Sequence, residues 1–253
     1  MLNIVVPMAG RGSRFSNAGF KAPKPFIDVC GFPMIEIVIR NLTPAIPHRF
    51  IFVVQEEHWH SYSAKEIFDR ACVSEYEVVK INGVTEGAAQ TVLCAQHLLD
   101  NDEPLMIANS DQFIASRIDT YIKGGEEADG FLMTMRDTDP KWSYAEVRDG
   151  MVKRVVEKEV ISDIATVGIY NFSRGNLFVN AAKEMIERNQ RSQGEFYVAP
   201  VYTALAESGL NIKAVSIGAV EDAMFGLGTP EDLKIFEELN EVETLIKEFT
   251  VGI

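Results

Sequence analysis

An apolar run, Ile4 to Val6, ends in a loop that reads Pro7-Met8-Ala9-Gly10-Arg11-Gly12-Ser13-Arg14, and Pro23-Lys24-Pro25 follows soon after. The run reads as a first buried strand. Gly10 and Gly12 lack a Cβ, so the backbone can turn tightly and bring its N–H groups against a phosphate chain. Arg11, Arg14, Lys21 and Lys24 place positive charge on the same stretch. A strand end that feeds a glycine-rich loop is where open α/β sheets bind nucleotides. The segment therefore predicts an open α/β sheet with a nucleoside triphosphate held beyond its first strand.

Charge sharpens that reading. The chain has 37 Asp plus Glu against 24 Lys plus Arg, a formal net charge of −13. Residues 1–27 nonetheless carry four basic side chains and no carboxylate. So acidic a body repels polyanions, which argues against a nucleic-acid grip. A compact cationic pocket in such a body suits a small phosphorylated ligand.

At 253 residues and 47% apolar content, one large α/β domain or two small ones can bury a sizeable core. Cys30, Cys72 and Cys94 lie far apart without metal or redox spacing, which fits a reducing, cytoplasmic setting. Neither a signal-peptide pattern nor an 18-residue apolar run is evident, so no membrane partner is expected.

Strand and helix signals alternate along the chain. Ile35, Val38, Ile39 and Leu42 share one helical face, and Phe50 to Val54 is an apolar strand suited to burial on both sides. Helices are predicted over 57–71 and 87–99, with strands over 77–81, 104–108 and 130–135. This rhythm implies a mostly parallel sheet covered by helices. Near Asp139 it changes: Tyr144 to Arg148 and Met151 to Val156 flank Asp149-Gly150, a two-residue hairpin signal. A further strand is predicted over 166–172, helices over 174–189 and 201–207, and a strand over 212–217. Thr229 and Pro230 would start a last helix reaching Lys247. The chain reads as one domain of two lobes, a nucleotide lobe over about 1–138 and an acceptor lobe over about 139–253.

Taken together, these segments resemble the sugar-phosphate nucleotidyltransferases, the NDP-sugar pyrophosphorylases and their cytidylyltransferase relatives. Met8 to Arg14 with Pro23-Lys24 is similar to their signature loop, and Gly83-Val84-Thr85-Glu86-Gly87-Ala88-Ala89-Gln90 to the loop that reads the nucleobase. Asn109-Ser110-Asp111 resembles their metal-binding strand end, and Glu157-Lys158 the pair beside the acceptor phosphate. Thr166 to Tyr170 matches the following strand, Gly194 to Tyr197 the substrate-facing segment, and Gly228 to Asp232 the entry to the final helix. The matches span about residues 1–240 in the expected order, which is more specific than any one of them.

The resemblance implies a Rossmann-like, GT-A-like three-layer fold with an inserted antiparallel β lobe. It also implies Mg²⁺-dependent transfer of a nucleotidyl group with release of pyrophosphate. Arg14, Lys24 and Lys158 would be the catalytic cations: Arg14 on the leaving phosphates, Lys24 between the α-phosphate and the incoming phosphate, Lys158 on the acceptor. Ala9, Gly10, Arg11, Gly12, Ser13, Gly83, Gly87 and Gln90 would bind the nucleotide, and Glu157, Gly168 and Glu195 the acceptor. Asp111 would hold the metal. Family members usually place a second metal-binding Asp where this chain has Gly226, and Asp222 is a displaced substitute.

Plainer readings stand beside these. Asp111 could cap a helix, Lys158 could sit on a solvated strand edge, Gly87 could start a helix, Gln90 could face solvent, and Glu195 could be an ordinary surface carboxylate. CTP, UTP, dTTP and GTP all stay open, with chain size favouring pyrimidines. The expected acceptor is a sugar 1-phosphate destined for surface polysaccharide; a phosphorylated amino acid, polyol or choline is the alternative. A GT-A glycosyltransferase and a non-catalytic nucleotide sensor are the rival classes, and a homo-oligomer is compatible with the sequence.

Overall fold

The computed structural model describes residues 1–219, 223–240 and 242–250, with residues 249 and 250 by backbone alone. Strand β1 (Leu2–Pro7) runs into the glycine loop, the short helix α1 (Ser13–Asn17) and a 3-10 turn at Lys24–Phe26. A small ribbon, β2 (Asp28–Val29) and β3 (Phe32–Pro33), leads to α2 (Met34–Leu42). There follow β4 (His48–Gln55), α3 (Glu56–Ser61), α4 (Ala64–Ala71), β5 (Tyr76–Ile81), α5 (Ala88–Leu93), α6 (Gln96–Leu99) and β6 (Leu105–Ala108). After β7 (Gln112–Ile114) and α7 (Ile118–Gly124) come β8 (Gly130–Arg136), β9 (Ser143–Arg148), β10 (Met151–Glu157) and β11 (Ile164–Phe172). The chain continues through α8 (Gly175–Glu187), α9 (Val201–Glu207), β12 (Ile212–Ala219), β13 (Met224–Gly226), α10 (Pro230–Glu237) and α11 (Val242–Thr250).

The main sheet is mixed and mostly parallel. Strands β5, β4, β1 and β6 lie side by side in parallel, and β11 pairs antiparallel with β6 on one edge and β8 on the other. β12 runs parallel to β8, and the β9–β10 hairpin joins through Ala165 of β11. Alternation sets the layers. Ile4, Val6, Phe50, Phe52, Met106 and Ala108 face α2, α4 and α7, whereas Val5, Ile51, Val53, Leu105 and Ile107 face α5, α6, α8 and α9. Each such Val, Leu, Ile, Phe or Met side chain stabilises the fold by about 1.5–3 kcal/mol when fully buried. The result is a three-layer sandwich. No helix among the described residues is long and apolar enough to cross a membrane.

Two features place the site. From β1 the chain first builds outward through β4 and β5, then returns to lay β6 on the other side, so strand order reverses between β1 and β6. Ligands of open α/β sheets bind in the crevice outside the strand ends at such a reversal. Second, β11 forks: residues 169–172 pair with β6, while Ala165 pairs with β9 on the same edge. The register slips between Thr166 and Tyr170, where Gly168 adopts φ +89°.

Buried polar groups fix the segment beyond β6. Asn41 of α2 donates to the Ile114 carbonyl and accepts from the Ile114 N–H, both at 2.9 Å. Glu36, 1% exposed, is ion-paired with Arg40 at 3.1 Å and with Arg70 of α4 at 2.6 Å. Removing either arginine alone would weaken the compensation of a buried carboxylate.

Several elements differ from the sequence reading. The helix expected over 57–71 breaks at Ser63, which has φ +49°, and that over 87–99 breaks between Leu93 and Gln96. The last helix stops at Glu237 and restarts at Val242. Hydrophobic period alone carries across each break, because both halves pack on one core. The Asp149-Gly150 hairpin has positive φ at both residues, 53° and 75°, as its two-residue turn requires. Thr229 caps α10 by accepting from the Asp232 N–H at 3.0 Å. The three-residue pair β7–β13 had no sequence signal.

Candidate active site

A cleft of about 850 Å³ opens at the carboxyl ends of β1 and β6, within the size range of small-molecule sites. One wall starts at the glycine loop. Gln55, ending β4, donates to the Ala9 carbonyl at 3.0 Å and holds the loop's base against the sheet. Gly12 is left-handed (φ +60°, ψ 28°), and a Cβ there would lie 3.4 Å from the Lys24 Cβ. Tight approach of the two segments thus depends on glycine. The amides of Gly10, Arg11 and Gly12 have no acceptor among the described residues, so they are free to meet phosphate oxygens.

Lys24 and Asp111 meet at the floor. Pro23 and Pro25 hold the Lys24 turn, and Lys24 Nζ donates to Asp111 Oδ2 at 2.8 Å. Asp111 owes its position to its neighbours: the Asn109 N–H donates to the Gly168 carbonyl, and the Leu227 N–H to the Asp111 carbonyl at 2.8 Å. At Gly228 a Cβ would come within 2.7 Å of Asp111 Oδ2, so the missing side chain keeps room beside the carboxylate. Gly168 meets Asn109 in the same way: its Cβ would lie 2.3 Å from Asn109 Nδ2.

The opposite wall comes from the β9–β10 hairpin and the segment before α9. Glu157 pairs across the ladder with Ser143, whose hydroxyl donates to its carboxylate. Burial pushes the Glu157 carboxyl above its ordinary range, opposed by Ser143 and Lys158 and reinforced by Glu195. Lys158 has φ +56°, and its Nζ donates to the Tyr197 hydroxyl at 2.7 Å. A left-handed lysine costs of order 1 kcal/mol and persists only where its surroundings over-determine it; here its N–H is fixed on the Trp142 carbonyl at 3.0 Å.

The cleft therefore gathers most of the residues singled out in the sequence. Gly10, Arg11, Gly12, Ser13, Arg14 and Lys24 line one side with Gly87, and Asp111 the floor. Glu157, Lys158, Gly168 and Glu195 line the other. Three expected nucleotide contacts do not line it. Ala9 is 1% exposed beneath the loop. Gln90 turns back to accept from the Glu86 N–H at 2.6 Å, and Gly83 sits in the turn after β5 at φ +75°. Asp222 lies outside the described residues. Gly226 sits opposite Gln112, and a Cβ there would meet the Asp232 carboxylate at 3.6 Å. Among the described residues no group of three or more His, Cys, Asp or Glu could enclose a metal.

Lys141, Trp142 and Arg191 also line the cleft and were not singled out in the sequence. Trp142 is oriented by its indole N–H, which donates to Asp137 at 2.6 Å, and Lys141 lies over its ring. Six lysine and arginine side chains now face a cleft with four carboxylates, inside a molecule of net charge −13. The excess favours an anionic ligand.

An open α/β sheet with a cationic cleft where strand order reverses defines a class of phosphate-ligand-binding α/β proteins. The nucleotidyl transferase family model matches residues 4–213, and the chain belongs to that family. The bifunctional protein GlmU of Campylobacter concisus is 25% identical over 247 residues, covering 95% of this chain and 53% of the relative. GlmU of Burkholderia ambifaria (strain AMMD) is 27% identical over 225 residues, covering 83% and 46%. The chain thus spans about half the length of the curated relatives it matches. Among solved structures, a nucleoside-diphosphate-sugar pyrophosphorylase from Vibrio cholerae superposes with TM-score 0.82 at 25% identity, over 93% of this chain and 100% of that one. The inositol-1-phosphate CTP transferase of T. maritima shares the fold at TM-score 0.74 and 18% identity, over 100% and 97%.

Proposed function

We propose that the protein transfers a nucleoside monophosphate from a nucleoside triphosphate to the phosphate of a small acceptor, by preference a sugar 1-phosphate, and releases pyrophosphate. The observation that carries this reading is the Lys24–Asp111 pair at 2.8 Å on the floor of one cleft, between the glycine loop with Arg11 and Arg14 and the wall that carries Lys158.

The chemistry brings two polyanions together. An oxygen of the acceptor phosphate forms a bond to the α-phosphorus while the bond to the β-phosphate oxygen breaks. The nucleophile is already anionic, so no general base is required; alignment and charge neutralisation carry the rate. Arg11, Arg14 and the loop amides hold the β- and γ-phosphates, Lys24 bridges the α-phosphate and the incoming phosphate, and Lys158 holds the acceptor. Mg²⁺ suits the donor chemistry, since it is held by one or two carboxylates with substrate phosphates and water. Asp111 would hold it, with the space left by Gly228 at its Oδ2. When bound, the ion neutralises phosphate charge and orients the triphosphate.

Glu157 and Glu195 on the acceptor wall favour a second reading, an acceptor bearing an ammonium group such as a phosphorylated amino acid or choline. Activated sugar for surface polysaccharide is the use that fits the first. CTP, UTP, dTTP and GTP assayed against sugar 1-phosphates, polyol phosphates and phosphocholine, read by pyrophosphate release, test both. Release is expected only with triphosphate and acceptor together, and Lys24→Ala is expected to lower it by about 10²-fold or more. Acceptor-independent release, or Lys24→Ala at near-normal rate, would contradict the proposal.

A further inference from the structure

Arg191 belongs to neither wall's expected chemistry, yet it binds the two walls together. Its Nη2 donates to Glu86 Oε2 at 3.0 Å on the nucleotide side. On the acceptor side its Nη1 donates to the Gly194 carbonyl at 3.0 Å and its Nε to Asn189 Oδ1 at 2.6 Å. The guanidinium lies 4.1 Å from the centre of the Phe196 ring. Beneath it the two segments are laced by backbone: the Phe196 N–H donates to the Glu86 carbonyl at 2.9 Å, and the Ala89 N–H to the Phe196 carbonyl at 3.0 Å. Gly87 makes that lacing possible, since a Cβ there would stand 2.4 Å from the Phe196 oxygen. Gln193 (φ +50°) and Gly194 (φ +83°) close a tight turn bridged by Ser192 and Glu195.

We propose that Arg191 is a positioning residue that makes residues 84–91 and 192–197 respond as one body, so that a triphosphate on the first wall orders the second for the acceptor. This rests on the proposed nucleotidyl transfer. A planar fork that donates to two walls at once and stacks on Phe196 cannot be replaced by the point charge of lysine. Coupling between sites is reciprocal and typically amounts to 5–150-fold in affinity.

Amide hydrogen exchange with CTP, UTP, dTTP or GTP alone, each with Mg²⁺, tests this without turnover. In the wild type, protection of 84–91 is expected to spread to 192–197. In Arg191→Met and Arg191→Lys, protection of 84–91 should persist, while that of 192–197 falls about 5-fold or more. With the substrate pair most active in the matrix, acceptor KM should rise by a similar factor while kcat at saturation changes less than about threefold. Spread of protection in the variants as in the wild type, or none in the wild type, would overturn the proposal. If no triphosphate protects 84–91, the nucleotide reading itself fails. The tie is then read without ligand: exchange of both segments should quicken together in Arg191→Met and in Glu86→Gln, with β1 and β4 unchanged, and unchanged exchange would overturn it.

Discussion

Glu157 shows how one side chain can report on the cleft. Burial raises its carboxyl pKa, against the pull of Ser143 and Lys158. The folded protein therefore keeps this proton at a pH where the unfolded chain has released it. Its contribution to stability is full below the unfolded pKa and is lost as pH rises through the folded value. Glu157→Gln should accordingly flatten the decline in unfolding free energy from about pH 4 upward. Urea denaturation across that range checks it, and an unchanged slope would contradict the burial of this carboxylate. Lys24, Asp111 and Lys158 were legible in the sequence because each sits in a motif whose order constrains it. Gln90 and Ala9 do not line the cleft, because a motif names a stretch of chain, whereas the backbone decides which of its members face the cleft. Trp142 and Arg191 lie in turns without hydrophobic period, so nothing in the sequence marked them.

Among the elements, the fork in β11 does the most to shape the site. Gly168 allows β11 to leave β6 and reach β9, and the space over its Cα is filled by Asn109. Gly168→Ala must both hold φ near +89° and displace the Asn109 amide from 2.3 Å. It is expected to destabilise the protein by about 1–3 kcal/mol. Chemical denaturation measures this directly, and a loss within about 0.5 kcal/mol would show that the fork tolerates a side chain. The strands, α2 and the β9–β10 hairpin could be read from the sequence because period and turn chemistry agree there. The breaks within the helices could not be, since residues such as Ile67 and Phe68 continue a face that Trp59 already presents to the same core. The pair β7–β13 is too short for any period, yet it sets Leu227 against Asp111.

Across the whole molecule, an acidic body and a cationic cleft together restrict what can bind. A net charge of −13 disfavours long polyanions, and the cluster of Arg11, Arg14, Lys24, Lys158 and their neighbours favours a short one. The reversal of strand order between β1 and β6 brings the N-terminal loop to the segment after β6, although about a hundred residues separate them. Phosphorus NMR of the protein with Mg²⁺, a triphosphate and a phosphorylated acceptor reads the outcome most directly. A new diphosphate linkage joining nucleotide to acceptor should appear in one-to-one ratio with free pyrophosphate. Inorganic phosphate released from the triphosphate instead, or a linkage formed without pyrophosphate, would contradict nucleotidyl transfer in this cleft.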